Sequence, residues 1–238
     1  MTGLPPPLRP AGVAAAYRVQ DALHASLAAA GLGTIAGHKI GCTTPVMQRY
    51  LKIDHPCAGG VMAARTYRDS ARLRHGAFVR VGVECEIAVV LGRDLPARDR
   101  PYSPAEVTSA VEACAAAIEI VDDRWADYGT VDTPTLIADD FFNAGAVLGV
   151  RRRFDPGLDL AALRGAMTIN GRETGRGTGA DALGSPLHAL AWLASARGGL
   201  SAGQFVLTGS MVQTHWAARG DACTVEVEGL GRAEAAFD

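Results

Sequence analysis

Between residues 83 and 91 the chain reads V-E-C-E-I-A-V-V-L, an apolar, strand-like run that carries Glu84 and Glu86 two positions apart. In a strand, residues i and i+2 share a face, so both carboxylates point into one space. Two anions on one face of an apolar strand are unfavourable unless a cation, a basic residue or water compensates them. A hard divalent cation does this most directly. The run I-E-I-V-D at 118–122 adds Glu119, whose neighbours Ile118 and Ile120 point the opposite way if this segment is also extended. Three carboxylates suit magnesium or manganese, with coordination positions left open for substrate oxygens. Because E-x-E alternation also describes a solvated strand face, the rest of the chain has to decide between the two.

A chain of 238 residues with 48% hydrophobic content can bury a full core without disulfides or a structural metal. Its 23 basic and 25 acidic residues nearly balance, which argues against nucleic acid or a membrane surface as partner. The five cysteines, at 42, 57, 85, 114 and 223, form no C-x-x-C pair and are odd in number, as expected for a reducing, cytoplasmic setting. Pro5, Pro6 and Pro7 precede the Ala-rich N-terminal stretch, and Arg18, Asp21 and His24 interrupt it, so it reads as neither signal peptide nor membrane span. The six histidines lack zinc-type spacing. Trp125, Trp192 and Trp216 are scattered, with core packing the default for each.

The pattern predicts an α+β, mainly β fold in one domain over 1–238, with a helical N-terminal segment over 1–35. Ala16, Val19, Leu23, Leu27 and Ala30 recur at helical spacing, giving a helix over 12–30 that ends at Gly31 and Gly33. Ser103, Pro104 and Glu106 form a capping-box start, with Val107, Ala110, Val111, Cys114 and Ala117 as the buried stripe behind it. Ser185 and Pro186 open another helix, with Leu187, Leu190, Ala191 and Ala194 on one face and a stop at Gly198 and Gly199. Strand-type segments fall at 78–91, 144–150, 204–209 and 222–228, and Asn170-Gly171 is the strongest hairpin signal. The glycine-rich stretch at 175–184 lacks the Lys-Ser/Thr of a phosphate loop and is expected as a mobile loop beside the site.

Several motifs in order carry a resemblance: A-Y-R-V-Q-D-A-L (16–23), G-H-K-I-G-C-T (37–43), E-C-E-I-A-V-V-L-G-R-D-L-P (84–96), A-I-E-I-V-D (117–122), the stretch 175–194 and L-T-G-S (207–210). With them the chain resembles the fumarylacetoacetate hydrolase superfamily, in its branch of 2-keto-4-pentenoate hydratases and 4-oxalocrotonate decarboxylases. The resemblance implies a mixed β-roll with an N-terminal helix and two inserted helices. It also implies Glu84, Glu86 and Glu119 as ligands of Mg2+ or Mn2+. Lys39 is implied as a catalytic and substrate-binding residue, and Gly209 and Ser210 as substrate contacts. The expected partner is a small 2-oxo or 2-hydroxydienoic acid, and the assembly a homo-oligomer. A 2-oxo acid chelates such an ion through its carboxylate and 2-oxygen, and the ion stabilises the resulting enolate. Hydration of a 2-hydroxydienoate, decarboxylation of a 2-oxo acid and cleavage of an acylpyruvate all pass through that enolate. Hydration in aromatic catabolism is therefore the expectation, with decarboxylase, acylpyruvate hydrolase and non-hydrating 2-oxo acid binder as alternatives.

The chain departs from the family pattern twice. After L-K-I-D-H-P the hydratases usually place an acid where this chain has Cys57, which leaves Asp54 and His55 as the nearby proton-transfer candidates. The segment A-D-D-F-F-N-A-G at 138–145 places Phe141 and Phe142 where the family has small residues. If this segment is extended, at most one phenylalanine walls the site, and it favours a longer or substituted substrate.

Overall fold

The 11-residue strand Val81–Leu91 lies at the centre of the computed structural model, which describes residues 1–238. Phe205–Leu207 pairs with it on one side and Val111–Asp122 on the other, both antiparallel. The sheet extends through Ile35–Gly41 and Cys57–Met62 at one end, and through Asn143–Leu148 and Thr66–Arg68 at the other. It is mixed, because Ile35–Gly41 runs parallel to Phe205–Leu207 and Thr66–Arg68 parallel to Asn143–Leu148. A second sheet orders Arg172–Thr178, Arg164–Ile169, Ala222–Val227, Gly231–Phe237 and Ser70–Leu73.

Alternation along the central strand decides what each face buries. Val83, Cys85, Ile87 and Val89 join Met167, Val225 and Ala233 of the second sheet in the main core, together with Leu190 and Leu193 of the helix Pro186–Ala196. On the opposite face, Ala88 and Val90 share a smaller buried cluster with Val61 from one end of the sheet and Ala146 and Leu148 from the other. Residues from both ends meet because the sheet curls on itself. Tight curling demands small inner residues, and Ala88, Ala113, Ala117 and Ala146 supply them. At Gly37 a Cβ would stand 2.6 Å from the Phe205 ring, so this inner position excludes any side chain. The result is the expected α+β, mainly β roll.

The N-terminal helix spans Val13–Leu27 and unwinds through Gly31 and Gly33, both at positive φ, as expected. Its buried face keeps Ala16 of the predicted stripe but departs from it at Val19, which is exposed, and at Gln20, which is buried instead. Gln20 Nε2 donates to the carbonyls of Ala58 at 2.9 Å and Ile137 at 2.7 Å, tying a strand of the curled sheet to the helix Thr133–Ala138. The Asn170-Gly171 turn joins Arg164–Ile169 to Arg172–Thr178, with φ of 52° and 77° at its two residues.

Two expectations require correction. The capping box is present, but its helix stops after Pro104–Thr108, and Val111, Cys114 and Ala117 belong to the strand Val111–Asp122. That strand has partners on both sides and is buried on both faces, so its sequence shows no period-2 alternation. Ala and Glu favour helix locally, and strand pairing overrides them. The cap still anchors the segment, and Ser103→Ala should cost about 1 kcal/mol, lowering Tm by about 2–4 °C in a thermal melt. The stretch 175–184 is not a loop throughout but begins as the end of a strand and continues into a turn. Its glycines are required by close approach: a Cβ on Gly177 would stand 1.9 Å from the Met211 carbonyl oxygen. No helix is long and apolar enough to cross a membrane.

Candidate metal and substrate site

Glu84 faces Glu119 directly across the antiparallel pair, and Glu86 lies one pleat further along, opposite Ala117. One carboxylate oxygen from each of Glu84, Glu86 and Glu119 lies within 4.8 Å of the others. Glu86 and Glu119 are fully buried and Glu84 partly so. Lys39, from the strand Ile35–Gly41, enters the same space and is itself only 3% exposed. Its Nζ stands 2.8 Å from Glu119 Oε1. The Gly209 N–H donates to Glu86 Oε2 at 2.7 Å, and Thr214 Oγ1 donates to Glu84 Oε1.

These contacts leave the cluster short of positive charge. Glu86 Oε1 and Glu119 Oε2 are buried without a hydrogen-bond partner. Burial, reinforced by Glu119 and Glu84, pushes the Glu86 carboxyl well above the usual carboxylate range. Burial likewise raises Glu119 to about 7, although Lys39 acts in the opposite sense. For Lys39 itself burial disfavours the ammonium, but attraction to Glu119 and Glu84 outweighs it and keeps the group charged. Convergent, desolvated carboxylate oxygens lacking partners match the donor set of a hard divalent cation. Glu84, Glu86 and Glu119 therefore fit such an ion.

Above the carboxylates opens a cavity of about 500 Å3, with Lys39 and Glu84 at its floor and Met47, Phe142, Val212 and Trp216 among its walls. Ser210 also lines it, and Gly209 at φ 112° turns the chain so that its N–H reaches Glu86. A larger recess of about 710 Å3 opens between Ile35, Leu148, Arg151 and Phe205, but none of the three carboxylates lines it.

Both phenylalanines line the cavity, which corrects the expectation of at most one. Asp140, Phe141 and Phe142 are not extended but lie at φ of 60°, 46° and 67°, so the two side chains no longer alternate. Phe141 is buried with its ring centre 5.3 Å from Lys39 Nζ. Phe142 packs edge-on against Phe141 at 5.4 Å and against Tyr128 at 5.3 Å, extending the wall outward. Gly41 makes room, since a Cβ there would lie 2.4 Å from the Phe141 ring.

Asp54 and His55 do not line this cavity. Asp54 is exposed, and His55 Nδ1 lies 2.7 Å from the Pro56 carbonyl, engaged with its own loop. Cys57 is fully buried opposite Gly41, and it is Cys42 that lines the cavity. Asp122 and Asp123 brace backbone: Asp122 accepts from the amides of Val79 and Arg80, and Asp123 from that of Trp125. Trp216 is not a core residue but a cavity wall beneath Arg80, whose guanidinium lies 4.0 Å from the ring centre. Asp181 and Thr214 escaped the sequence reading; Asp181 stands on the cavity lining and Thr214 holds Glu84.

Fold and site together define a class: a curled, mainly β protein with a three-carboxylate site able to hold a divalent cation. The family of the fumarylacetoacetate (FAA) hydrolase C-terminal region matches residues 62–237, and the chain belongs to it. A 2-keto-4-pentenoate hydratase of Paraburkholderia phymatum is 37% identical over 226 residues, covering 93% of this chain and 85% of the relative. A 2-hydroxyhexa-2,4-dienoate hydratase of Comamonas testosteroni is 32% identical, covering 92% and 86%. Among solved structures, 4-oxalocrotonate decarboxylase from Pseudomonas putida G7, complexed with magnesium and adipate, superposes with a TM-score of 0.88 at 27% identity, covering 95% of this chain and 86% of that one.

Proposed function

We propose that this protein is a metal-dependent hydro-lyase that adds water to 2-hydroxy-2,4-dienoates in the breakdown of aromatic compounds. The observation that carries the reading is the placement of Lys39 and Glu84 on the lining of a cavity with apolar walls, with Glu86 and Glu119 buried within 4.8 Å of Glu84. The relatives named hydratase, matched over more than nine-tenths of this chain, support water addition over the other enolate reactions. Magnesium or manganese is the proposed ion. When bound, it supplies Lewis-acid stabilisation of the negative charge that develops on the substrate 2-oxygen.

The chain's own residues do the remaining work. Glu84, Glu86 and Glu119 would hold the ion beside Lys39. Lys39, kept charged by its carboxylate neighbours, pairs with the substrate carboxylate or holds the water that exchanges protons with the diene. Phe141 and Phe142 exclude bulk water from one side of the chain of conjugated carbons and receive its far end. The five buried free cysteines suit a reducing, cytoplasmic setting, and a homo-oligomer belongs to the same proposal.

The test is incubation of freshly generated 2-hydroxydienoates with the protein and added magnesium or manganese. Decay of dienoate absorbance with a product one water heavier supports the reading. The structural likeness to a decarboxylase favours one alternative, and release of carbon dioxide from 4-oxalocrotonate without hydration of any dienoate would replace it.

The phenylalanine wall sets the expected specificity. A substituted or longer dienoate should be preferred over the unsubstituted five-carbon acid, since each buried methylene contributes about 0.8 kcal/mol. Phe142→Ser should shift the ratio of kcat/KM values by roughly 4- to 15-fold for one or two methylenes, measured against Phe141→Ser made separately. Ratios that stay within twofold in both folded variants would move specificity elsewhere.

A further inference from the structure

The backbone that presents the wall is held in a conformation it does not prefer. Asp140, Phe141 and Phe142 all have left-handed φ, a region that side-chain-bearing residues seldom occupy and that persists only where the surroundings impose it. Asp140 supplies the restraint. Its Oδ1 accepts the N–H of Gly60 at 2.8 Å and stands 2.8 Å from His24 Nε2, where an N–H donates to the carboxylate. Both side chains of the pair are about nine-tenths buried, at 11% and 8% exposure. The fit leaves no slack. A Cβ on Gly60 would lie 2.6 Å from the His24 ring, and one on Gly59 would lie 2.8 Å from the Asp140 carbonyl oxygen.

His24 lines neither the substrate cavity nor the carboxylate cluster. It sits one helical turn beyond Gln20, which anchors the same strand and the residue Ile137 three positions before Asp140. One face of the N-terminal helix thus grips the strand Cys57–Met62 and the segment leading into the wall, on the side remote from the cavity.

We propose that His24 is a positioning residue for substrate selection, acting through Asp140 to hold Phe141 and Phe142 against the cavity. The pair fixes where the aromatic wall stands, and with it the length and bulk of the substrate tail that fits. This rests on the reading of the cavity as a dienoate site. Within this chain the restraint and the wall are adjacent: Asp140, held by His24 and the Gly60 amide, directly precedes Phe141 and Phe142.

The experiment compares His24→Ala, His24→Gln and Asp140→Asn with the parent, in the full-length chain with magnesium, on an unsubstituted and a substituted 2-hydroxydienoate. Affinity for manganese is measured in parallel. His24→Ala should lower the preference for the substituted substrate by roughly fourfold or more, the discrimination that one methylene supplies, while manganese affinity holds. His24→Gln, which can still donate, and Asp140→Asn, which keeps the acceptor and tolerates left-handed φ, should retain most of that preference. In a Phe142→Ser background, His24→Ala should produce no further change in the ratio. An unchanged ratio in His24→Ala, or an equal loss of rate on both substrates in every variant, overturns the proposal and leaves the pair a structural brace. Should His24→Ala not fold, His24→Leu fills the volume without the donor and carries the same outcomes. If the parent hydrates neither dienoate, the failure belongs to the hydratase reading, and the parent's behaviour alone reveals it.

Discussion

Chelation of divalent cations should abolish turnover, and Glu119→Gln or Glu86→Gln should weaken manganese or magnesium binding by at least about 100-fold. Loss of a residue that merely orients a ligand already costs about 10- to 100-fold, and these two supply the donor oxygens themselves. Their apo forms should then part company. Glu86 is fully buried among like charges and has one oxygen without a partner, so the neutral amide removes repulsion while its carbonyl oxygen can still accept the Gly209 N–H. Glu86→Gln should therefore melt higher than the parent in chelator, by about 2–4 °C for each kcal/mol of relief. Glu119→Gln removes a like charge too, but it also removes the carboxylate 2.8 Å from the buried Lys39 ammonium. Its apo form should gain less or lose stability. Calorimetric titration of the metal and thermal melts in chelator read both effects. Parental metal affinity in either variant would dismiss the carboxylate cluster as the metal site.

The contrast between these two glutamates was only half legible in the sequence. Period-2 placement of Glu84 and Glu86 in an apolar run, with Glu119 between isoleucines, suffices to put three carboxylates on one face, and the fold brings them together. Which of them meets Lys39 depends on how the strand Ile35–Gly41 enters the curled sheet, and no local pattern encodes that. The same limit explains the strand Val111–Asp122, whose start resembled a helix because a central strand buried on both faces has no alternation to display. Phe141 and Phe142 illustrate a different gap. Their joint placement on the cavity follows from left-handed backbone, and the side chain of Asp140 at its start is held by the Gly60 amide and His24, residues remote in sequence. Asp54 and His55 misled for the opposite reason: nearness in sequence to an expected acid did not place them in the cavity.

Lys39→Ala should cut kcat/KM by roughly 100-fold or more, the size expected of a positioned charge or proton-transfer group. The sign of its effect on metal distinguishes that role from a ligand's. Lys39 carries the positive charge nearest to Glu119, so it competes with a cation for the same carboxylate, and its removal should leave metal affinity equal to the parent's or higher. Apo stability should move the other way. Three carboxylates without their internal cation repel one another in a desolvated space, so Lys39→Ala should melt lower than the parent in chelator and recover most of the difference when manganese is added. A lysine that served only the fold would give the stability loss with little change in turnover once metal is restored. A lysine acting on the substrate leaves the metal-loaded variant folded and slow. The deficit should fall on kcat as well as on KM, because a charge that faces the reacting end of the substrate contributes most where charge develops in the transition state. Near-parental kcat/KM in the metal-loaded variant would return Lys39 to the role of a counter-ion for the empty carboxylate cluster.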